Sequence, residues 1–297
     1  MRLSFRIVNV FTLETAPAIP VLPSSMAVAR NSGKLTGNPL CVFEDARGLD
    51  EAQMQALALQ FNLSETTFLF PSDKAHARVR IFAPGYEIQF AGHPTLGTAF
   101  VVDALQQRGG KVQLELNVGV IPVAAQGNQW ELQANAATSR PQHASRAELA
   151  TALGLHASDL GAQPLWVNTG SEQLIVPLTS ADAVRRVSAS YDALVQVTAD
   201  GPRPQAYVFA DTGSDTLLSR FFFTKIGSVI EDPATGSATA NLGGWYLANS
   251  PSLPLVKTIS QGELAGRPST LRLRIDNARS IFVAGEVVEL GTGSINL

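Results

Sequence analysis

Alternating hydrophobic and polar positions recur along most of the chain and predict β-strands. Residues 1–12 alternate in this way, and two alternating runs flank Pro84-Gly85, which predicts a hairpin. A second hairpin is predicted around Asn168-Thr169-Gly170. Further strands are predicted within residues 66–70, 111–134, 204–212, 217–227 and 270–296.

Helical patterns are fewer, and they are of two kinds. An amphipathic helix is predicted after Asp50 and a brief helix within 182–187, and Ser145 forms a capping box with Glu148 for another. Two further helices follow loops, at about 92–107 and 235–249, and consist largely of Gly, Ala and Thr. Because small side chains let neighbouring strands approach closely, we expect both of these helices to be enclosed.

The order of elements recurs weakly in the two halves of the chain, although no strict sequence repeat is visible. We therefore predict two similar α+β lobes with a cleft between them, where ligand sites usually lie. The first lobe is predicted at 1–125, joined by a C-terminal strand at about 284–297, and the second at 126–283. The proline-containing segment 15–36 is predicted to be a surface loop.

Composition restricts the function classes. The 297 residues carry a formal net charge of −3, and no run of Lys and Arg indicates a surface for nucleic acid or membrane lipid. The chain has one cysteine, Cys41, and its four histidines never fall at i, i+4, so no metal site is predicted. No dinucleotide or Walker motif is present, which disfavours a cofactor-dependent oxidoreductase. We expect a cytoplasmic protein without a cofactor.

The starts of the two small-residue helices are candidate binding sites for an anion. The first amide groups of a helix have no intrahelical partner, and small residues keep them accessible to a carboxylate. His93 lies at the first of these starts, where the positive end of the helix dipole favours a neutral imidazole. The alternative is that His93 only caps the turn backbone and that Pro94 is an ordinary helix-start proline.

Two carboxylates accompany these helix starts. Glu65 stands between a helix end and a buried strand, and Asp232 directly precedes the second helix start. One acid/base group in each lobe is the pattern expected of a cleft that moves a proton. The alternatives are an edge-strand charge facing water for Glu65, and a plain helix N-cap or an Asx turn before Pro233 for Asp232.

The motifs around these residues resemble the PhzF-like isomerase family of phenazine biosynthesis. The resemblance covers about residues 37 to 290 and is carried by "TGNPLCVF", "MQALALQFNLSETTFLF", "VRIFAPGYEIQFAGHPTLGTAF" and "EDPATGSATANLGGWYL". It implies the diaminopimelate-epimerase-like fold, in which each lobe is a β-barrel-like sheet around a central helix. It also implies a homodimer that uses neither cofactor nor metal.

The resemblance implies roles for individual residues. Glu65 matches the acid/base glutamate of the family, with His93 and Asp232 as the other catalytic positions. The resemblance implies that substrate is bound by Ser64, Gly92, Gly236 and Ser237. The cysteine-dependent epimerases of the same fold are not supported, because Ala91 precedes Gly92 and no cysteine lies near 232–240.

These observations predict an isomerase that moves a proton on a small substrate bearing a carboxylate. Residues 127–210 match the family only loosely, so the identity of the substrate stays open. The alternative is a non-catalytic protein that binds a small molecule, or a partner, on the same fold. Binding alone gives no reason for a carboxylate beside each helix start, which favours the enzyme.

Overall fold

The computed structural model describes residues 1–13, 33–225 and 227–297. Most of the predicted loop at 15–36 lies outside the described residues, and its last part begins with a 3-10 helix at Gly33–Leu35. The contacts divide the chain into two compact units, the first formed by Met1–Gln133 with Ala284–Leu297 and the second by Ala134–Val283. No helix among the described residues is both long enough and apolar enough to span a membrane.

The first unit is a strand-rich unit with two helices. Its strands are β1 (Arg2–Val10), β2 (Asn38–Phe43), β3 (Glu65–Phe70), β4 (Ala77–Ala83), β5 (Tyr86–Ile88), β6 (Lys111–Leu116), β7 (Gly119–Gln126) and β8 (Gln129–Gln133). Its helices are α1 (Glu51–Phe61) and α2 (Gly92–Gln106). The lobe boundary predicted at 125/126 would cut the antiparallel pair of β7 and β8, whereas the contacts place the division after β8.

The second unit contains more helices. These are α3 (Arg146–Ala152), α4 (Ala181–Arg186), α5 (Tyr191–Val197) and α6 (Gly236–Ala248). Its strands are β9 (Thr138–Pro141), β10 (Leu165–Asn168), β11 (Glu172–Pro177), β12 (Gln205–Asp211), β13 (Thr216–Lys225), β14 (Ser228–Asp232), β15 (Leu255–Gln261) and β16 (Ser269–Ile275). Strand β17 (Ile281–Asn296) begins in this unit, and its residues from Ala284 onward belong to the first.

The two units repeat one pattern of strand pairing. In the first, β1–β2 is antiparallel, β2–β3 parallel, β3–β4 and β4–β5 antiparallel, β4–β6 parallel and β6–β7 antiparallel. The strands from β10 to β16 repeat this series in the same order. Parallel neighbours need a crossover connection, and in each unit helices supply both crossovers. The prediction of two similar α+β lobes is therefore confirmed.

The two small-residue helices are the central helices of the two units. Helix α2 packs against β1, β2, β3, β6 and β8, and α6 packs against β9, β10, β11 and β16. A Cβ atom at Gly97 of α2 would lie 2.7 Å from Cδ2 of Leu40 and 2.9 Å from Cγ2 of Val10. Gly244 of α6 has neighbours equally close. The absence of a side chain at these positions lets each sheet close around its helix, as the small-residue pattern predicts.

The other helices cover the outer faces of the sheets. Met54 and Leu57 of α1 pack against Phe43, Phe68 and the neighbouring side chains of the first sheet. In the second unit, α3, α4 and α5 cover Trp166 and the apolar residues around it. Local signals favour these helices: the predicted capping box of Ser145 and Glu148 is formed, and Asp50 caps α1 in a capping box with Gln53.

Candidate active site

Glu65 is the first residue of β3, directly after the turn that ends α1. That turn begins at Asn62, which is in the left-handed conformation with a φ of 51°, and Ser64 completes it. Strand β3 lies between β2 and β4 in the sheet. The alternative of an edge-strand charge facing water is therefore wrong, and the Glu65 side chain is only 16% exposed.

His93 is the second residue of α2 and follows Gly92. Both residues are buried, and the N-cap residue Ala91 contributes no side-chain hydrogen bond. The imidazole is 6% exposed and donates a hydrogen bond to the backbone carbonyl of Pro39. His93 therefore lies at an uncapped helix start, with its ring turned into the unit.

The side chains of Glu65 and His93 meet inside the first unit. Nε2 of His93 lies 3.2 Å from Oε2 of Glu65. Since Nε2 faces the carboxyl group, Nδ1 is the nitrogen that carries the proton donated to Pro39. Burial lowers the pKa of His93 to about 3, and the bond to Pro39 offsets only part of this effect. The imidazole is thus neutral at pH 7 and presents a lone pair to Glu65.

A neutral acceptor beside a carboxyl group suits proton transfer. When Glu65 holds a proton, Nε2 of His93 accepts a hydrogen bond from it, and this form of the pair carries no buried charge. When Glu65 has given the proton away, the imidazole does not neutralise the carboxylate, which therefore remains a competent base. The pair can hold one proton and release it again.

Asp232 belongs to the second unit, where it ends β14. The residue is 9% exposed, and Oδ2 accepts a 2.5 Å hydrogen bond from the hydroxyl of Thr235. Gln261 of β15 donates from Nε2 to the backbone carbonyl of Asp232 and to Oγ1 of Thr235, both at 2.9 Å. Thr235 is the N-cap residue of α6, so Asp232 is not the N-cap of this helix, whereas the alternative of an Asx turn before Pro233 stays open. Asp232 is held rigidly by the residues around the helix start.

Helix α6 begins at Gly236, followed by Ser237. Gly236 is buried and Ser237 is partly exposed. The N-cap residue Thr235 makes no side-chain hydrogen bond to the first turn, so this helix start resembles that of α2. Oγ of Ser237 accepts a 3.0 Å hydrogen bond from Nε2 of Gln173.

The structure thus brings the predicted residues together in two groups, one in each unit. Glu65 and His93 form the first group with Ser64 and Gly92 beside them in the chain, and Asp232, Gly236 and Ser237 form the second. Sequence reasoning missed Thr235, Gln261 and Gln173, which hold the second group in place. The conformation of Asp232 depends on Gln261, whose position in an ordinary alternating strand gives no local signal of this role.

Cys41 takes no part in either group. Its side chain is fully buried in the first unit, and burial raises the pKa of the thiol. A neutral, enclosed thiol is not a nucleophile. Among the described ranges, no three or more His, Cys, Asp and Glu side chains cluster in a way that could hold a metal ion.

The comparisons with known proteins identify the family of the chain. Residues 30–293 match the family described as phenazine biosynthesis-like protein, PhzC-PhzF. The chain belongs to this family. Relatives from Pasteurella multocida and Pseudomonas aeruginosa are isomerases by name, which confirms the prediction that the chain is an enzyme of that class.

Two relatives and one solved structure illustrate the match to the PhzF family. An uncharacterized isomerase of Pasteurella multocida is 38% identical over 263 residues, which cover 87% of this chain and 89% of the relative. The trans-2,3-dihydro-3-hydroxyanthranilate isomerase of Pseudomonas aeruginosa is 36% identical over 265 residues, 86% of this chain and 91% of the relative. The crystal structure of a PhzF-family protein of Bacillus anthracis has a TM-score of 0.80 at 23% identity, with full coverage of both chains. The predicted diaminopimelate-epimerase-like fold is confirmed.

Proposed function

We propose that the chain is a cofactor-independent isomerase that moves a proton between two carbon atoms of a small substrate bearing a carboxylate. Glu65 takes the proton from one carbon and returns it to the other. The observation that carries this proposal is the 3.2 Å approach of Nε2 of His93 to Oε2 of Glu65, together with the low pKa of the imidazole.

The role of His93 follows from its charge. A cationic imidazole would stabilise the carboxylate and make Glu65 a weak base, whereas a neutral imidazole does neither. Between the two transfers, Nε2 accepts a hydrogen bond from the protonated Glu65 and keeps the proton near the substrate. His93 therefore favours the form of Glu65 that exists between abstraction and return.

The helix starts supply the binding of the substrate in this proposal. Neither α2 nor α6 has its first turn capped by the side chain of the N-cap residue, so the amide groups there can receive a carboxylate. The hydroxyl of Ser237 and the backbone at Gly92 and Gly236 complete the polar contacts, with Ser64 beside Glu65. Asp232 orients a polar group of the substrate.

The relative from Pseudomonas aeruginosa suggests the first compound to test. Its name gives trans-2,3-dihydro-3-hydroxyanthranilate as the substrate, a cyclic compound that bears a carboxylate. The loosely matching residues 127–210 leave a different cyclic or amino-acid-like carboxylate equally in accord with the site. A homodimer, a cytoplasmic location and a role in biosynthesis remain predictions.

The deciding experiment is isotope incorporation from heavy water. The purified protein is incubated in D2O with trans-2,3-dihydro-3-hydroxyanthranilate and, separately, with a panel of cyclic and amino carboxylic acids, and the products are analysed by mass spectrometry and NMR. Isomerisation, or deuterium at a carbon position, supports the proposal. Binding without any incorporation across the panel overturns it and favours the non-catalytic alternative.

A further inference from the structure

A chain of buried polar side chains runs through the second unit to Ser237. The hydroxyl of Thr169 donates to Oδ1 of Asn241 at 2.7 Å. Nδ2 of Asn241 donates to the carbonyl of Ser171 and to Oε1 of Gln173, both at 2.8 Å. Nε2 of Gln173 then donates to Oγ of Ser237 at 3.0 Å. Thr169, Asn241 and Gln173 are each at most 4% exposed, so these bonds form with almost no access to water.

The sequence of bonds fixes the orientation of both amide groups. Oδ1 of Asn241 accepts from Thr169, so its NH2 group faces Ser171 and Gln173. Oε1 of Gln173 accepts from Asn241, so the NH2 group of Gln173 must face Ser237. Rotation of either amide by 180° would place two donors or two acceptors against each other in the interior, which is costly.

This orientation determines what Ser237 offers to a ligand. A hydroxyl group has one proton and two lone pairs, and Gln173 occupies a lone pair. The Ser237 proton cannot point at the Gln173 NH2 group, so it is free to point away from it. Ser237 is partly exposed, whereas Gly236 and Ala238 on either side are buried. The hydroxyl of this partly exposed residue thus keeps its proton for a further acceptor.

We propose that Gln173 and Asn241 are positioning residues that make Ser237 a hydrogen-bond donor to an oxygen of the substrate. The role of Ser237 in binding rests on the proposed function, whereas the orientation of its hydroxyl does not. This chain of hydrogen bonds from Thr169 to Ser237 favours a substrate group that accepts hydrogen bonds, such as a carboxylate, over an ammonium or another donor. The turn at Asn168-Thr169-Gly170 contributes to this arrangement through the side chain of Thr169, whose hydroxyl donates the first bond of the chain, to Asn241.

The orientation is tested directly by neutron crystallography of the full chain exchanged into D2O. We expect deuterium on Nε2 of Gln173 directed at Oγ of Ser237, and the Ser237 deuterium directed elsewhere. A map with the Ser237 deuterium directed at Gln173 overturns the proposal. This measurement needs no substrate, so its result stands whether or not the protein proves to be an isomerase.

The functional role is tested by a double-mutant cycle with trans-2,3-dihydro-3-hydroxyanthranilate. Ser237→Ala should raise KM by roughly 10- to 100-fold, as expected for a bond to a charged group. Gln173→Met, which keeps the volume but lets the hydroxyl rotate, should raise KM by about 3- to 10-fold, with kcat almost unchanged. In the Ser237→Ala background, Gln173→Met should change KM by less than about two-fold, because its effect passes through Ser237.

Gln205→Met provides the matched control. Gln205 is also buried, at 7% exposure, and its side-chain NH2 group donates a 2.8 Å hydrogen bond to the carbonyl of Glu172, whereas that of Gln173 donates to Ser237. The Gln205→Met variant should lose about as much thermal stability as the Gln173→Met variant, and its KM should be unchanged. Equal KM effects of Gln173→Met with and without the Ser237 hydroxyl would overturn the positioning role. Absence of any proton exchange by the wild-type protein would instead refute the proposed function, and the neutron map would then decide the orientation alone.

Discussion

The hydroxyl of Thr235 donates a 2.5 Å hydrogen bond to Oδ2 of Asp232, three residues earlier in the chain. The same hydroxyl oxygen accepts from Gln261, so one side chain joins the loop, the helix start and β15. Thr235 is the N-cap residue of α6, but its side chain does not cap the helix. Its hydroxyl instead bonds the Asp232 carboxylate and Gln261, and these bonds fix the direction of the carboxylate.

Replacement of Thr235 tests this relationship. Thr235→Val keeps the shape but removes the hydrogen bond from the Thr235 hydroxyl to Oδ2 of Asp232, and we expect turnover to fall by about ten-fold, as for a lost bond to a charged group. Thr235→Ser retains the hydroxyl and should stay within about three-fold of the wild type. Steady-state kinetics of both variants provide the measurement, and equal losses would show that the methyl group rather than the hydroxyl is responsible.

Substitution of Glu65 and of Asp232 shows which of the two carboxylates contributes more to turnover. Glu65→Gln keeps the size of the side chain but cannot take up and release a proton, so deuterium incorporation should fall by about 10²–10⁴. Asp232→Asn should cost less, because this residue orients the ligand and does not transfer the proton. Thermal unfolding controls for folding, and ligand titration separates binding from turnover. Near-normal turnover of a folded Glu65→Gln protein would remove Glu65 from the mechanism.

The buried imidazole of His93 predicts a specific loss of stability in acid. In the folded chain the pKa of His93 is about 3, whereas in the unfolded chain it returns to about 6.5. Between these values the unfolded state binds the additional proton, so the free energy of unfolding falls as the pH is lowered from about 6.5 towards 3. Protonation of the unfolded chain should cost the wild type about 2 kcal/mol between pH 7 and pH 5.

His93→Asn removes this proton-binding group and serves as the comparison. The wild type should lose about 2 kcal/mol more stability than the variant between these pH values. Urea unfolding of both proteins at pH 7 and pH 5 gives the difference, in which the remaining histidines cancel. Parallel losses in the two proteins would mean that His93 titrates normally when folded.

Because side chains pack closely against Gly97, even a methyl side chain at this position should lower the stability of the protein. An added Cβ would lie within 3 Å of Leu40 and Val10, and overpacking of this kind costs about 1–3 kcal/mol. Gly97→Ala should therefore be destabilising, although alanine is the better helix former. Gly85→Ala is the control, because no atom lies within 4 Å of its added Cβ. A Gly97→Ala protein as stable as this control would contradict the tight packing of α2.

Acid/base chemistry by Glu65 predicts that activity needs no added metal. Dialysis against EDTA followed by assay in chelator-treated buffer should leave turnover unchanged, because the proton is held and returned by a side chain. Loss of activity that one divalent metal restores would contradict this prediction. Inductively coupled plasma mass spectrometry of the active protein provides an independent check.

Local signals made most elements predictable from the sequence. The helix after Asp50 and the hairpin at Pro84-Gly85 depend on residues within a few positions of each other, and both are formed. Helix α5 was missed, since its N-cap residue Ser190 makes no capping bond. The predicted boundary at 125/126 fell inside the hairpin of β7 and β8, whereas the contacts keep both strands in the first unit.

The candidate site was predictable only in part, for a related reason. Glu65 and His93 stand out because each is a polar residue next to a buried element, and the PhzF motifs carry them. The partners that orient the second group come from far along the chain, as Gln261 does for Asp232 and Asn241 does for Gln173. Such residues look like ordinary strand or helix positions until the fold brings them together.

The pairing of β1 with β17 has a consequence for biosynthesis of the chain. Strand β1 pairs along its length with residues from Val287 to Asn296, and these leave the ribosome after the whole of the second unit. Until then one edge of β1 has no partner, and an unpaired edge is where strands of other chains can add. The second unit has its complete sheet before the first does. The half of the molecule that carries Glu65 is therefore translated first and completed last.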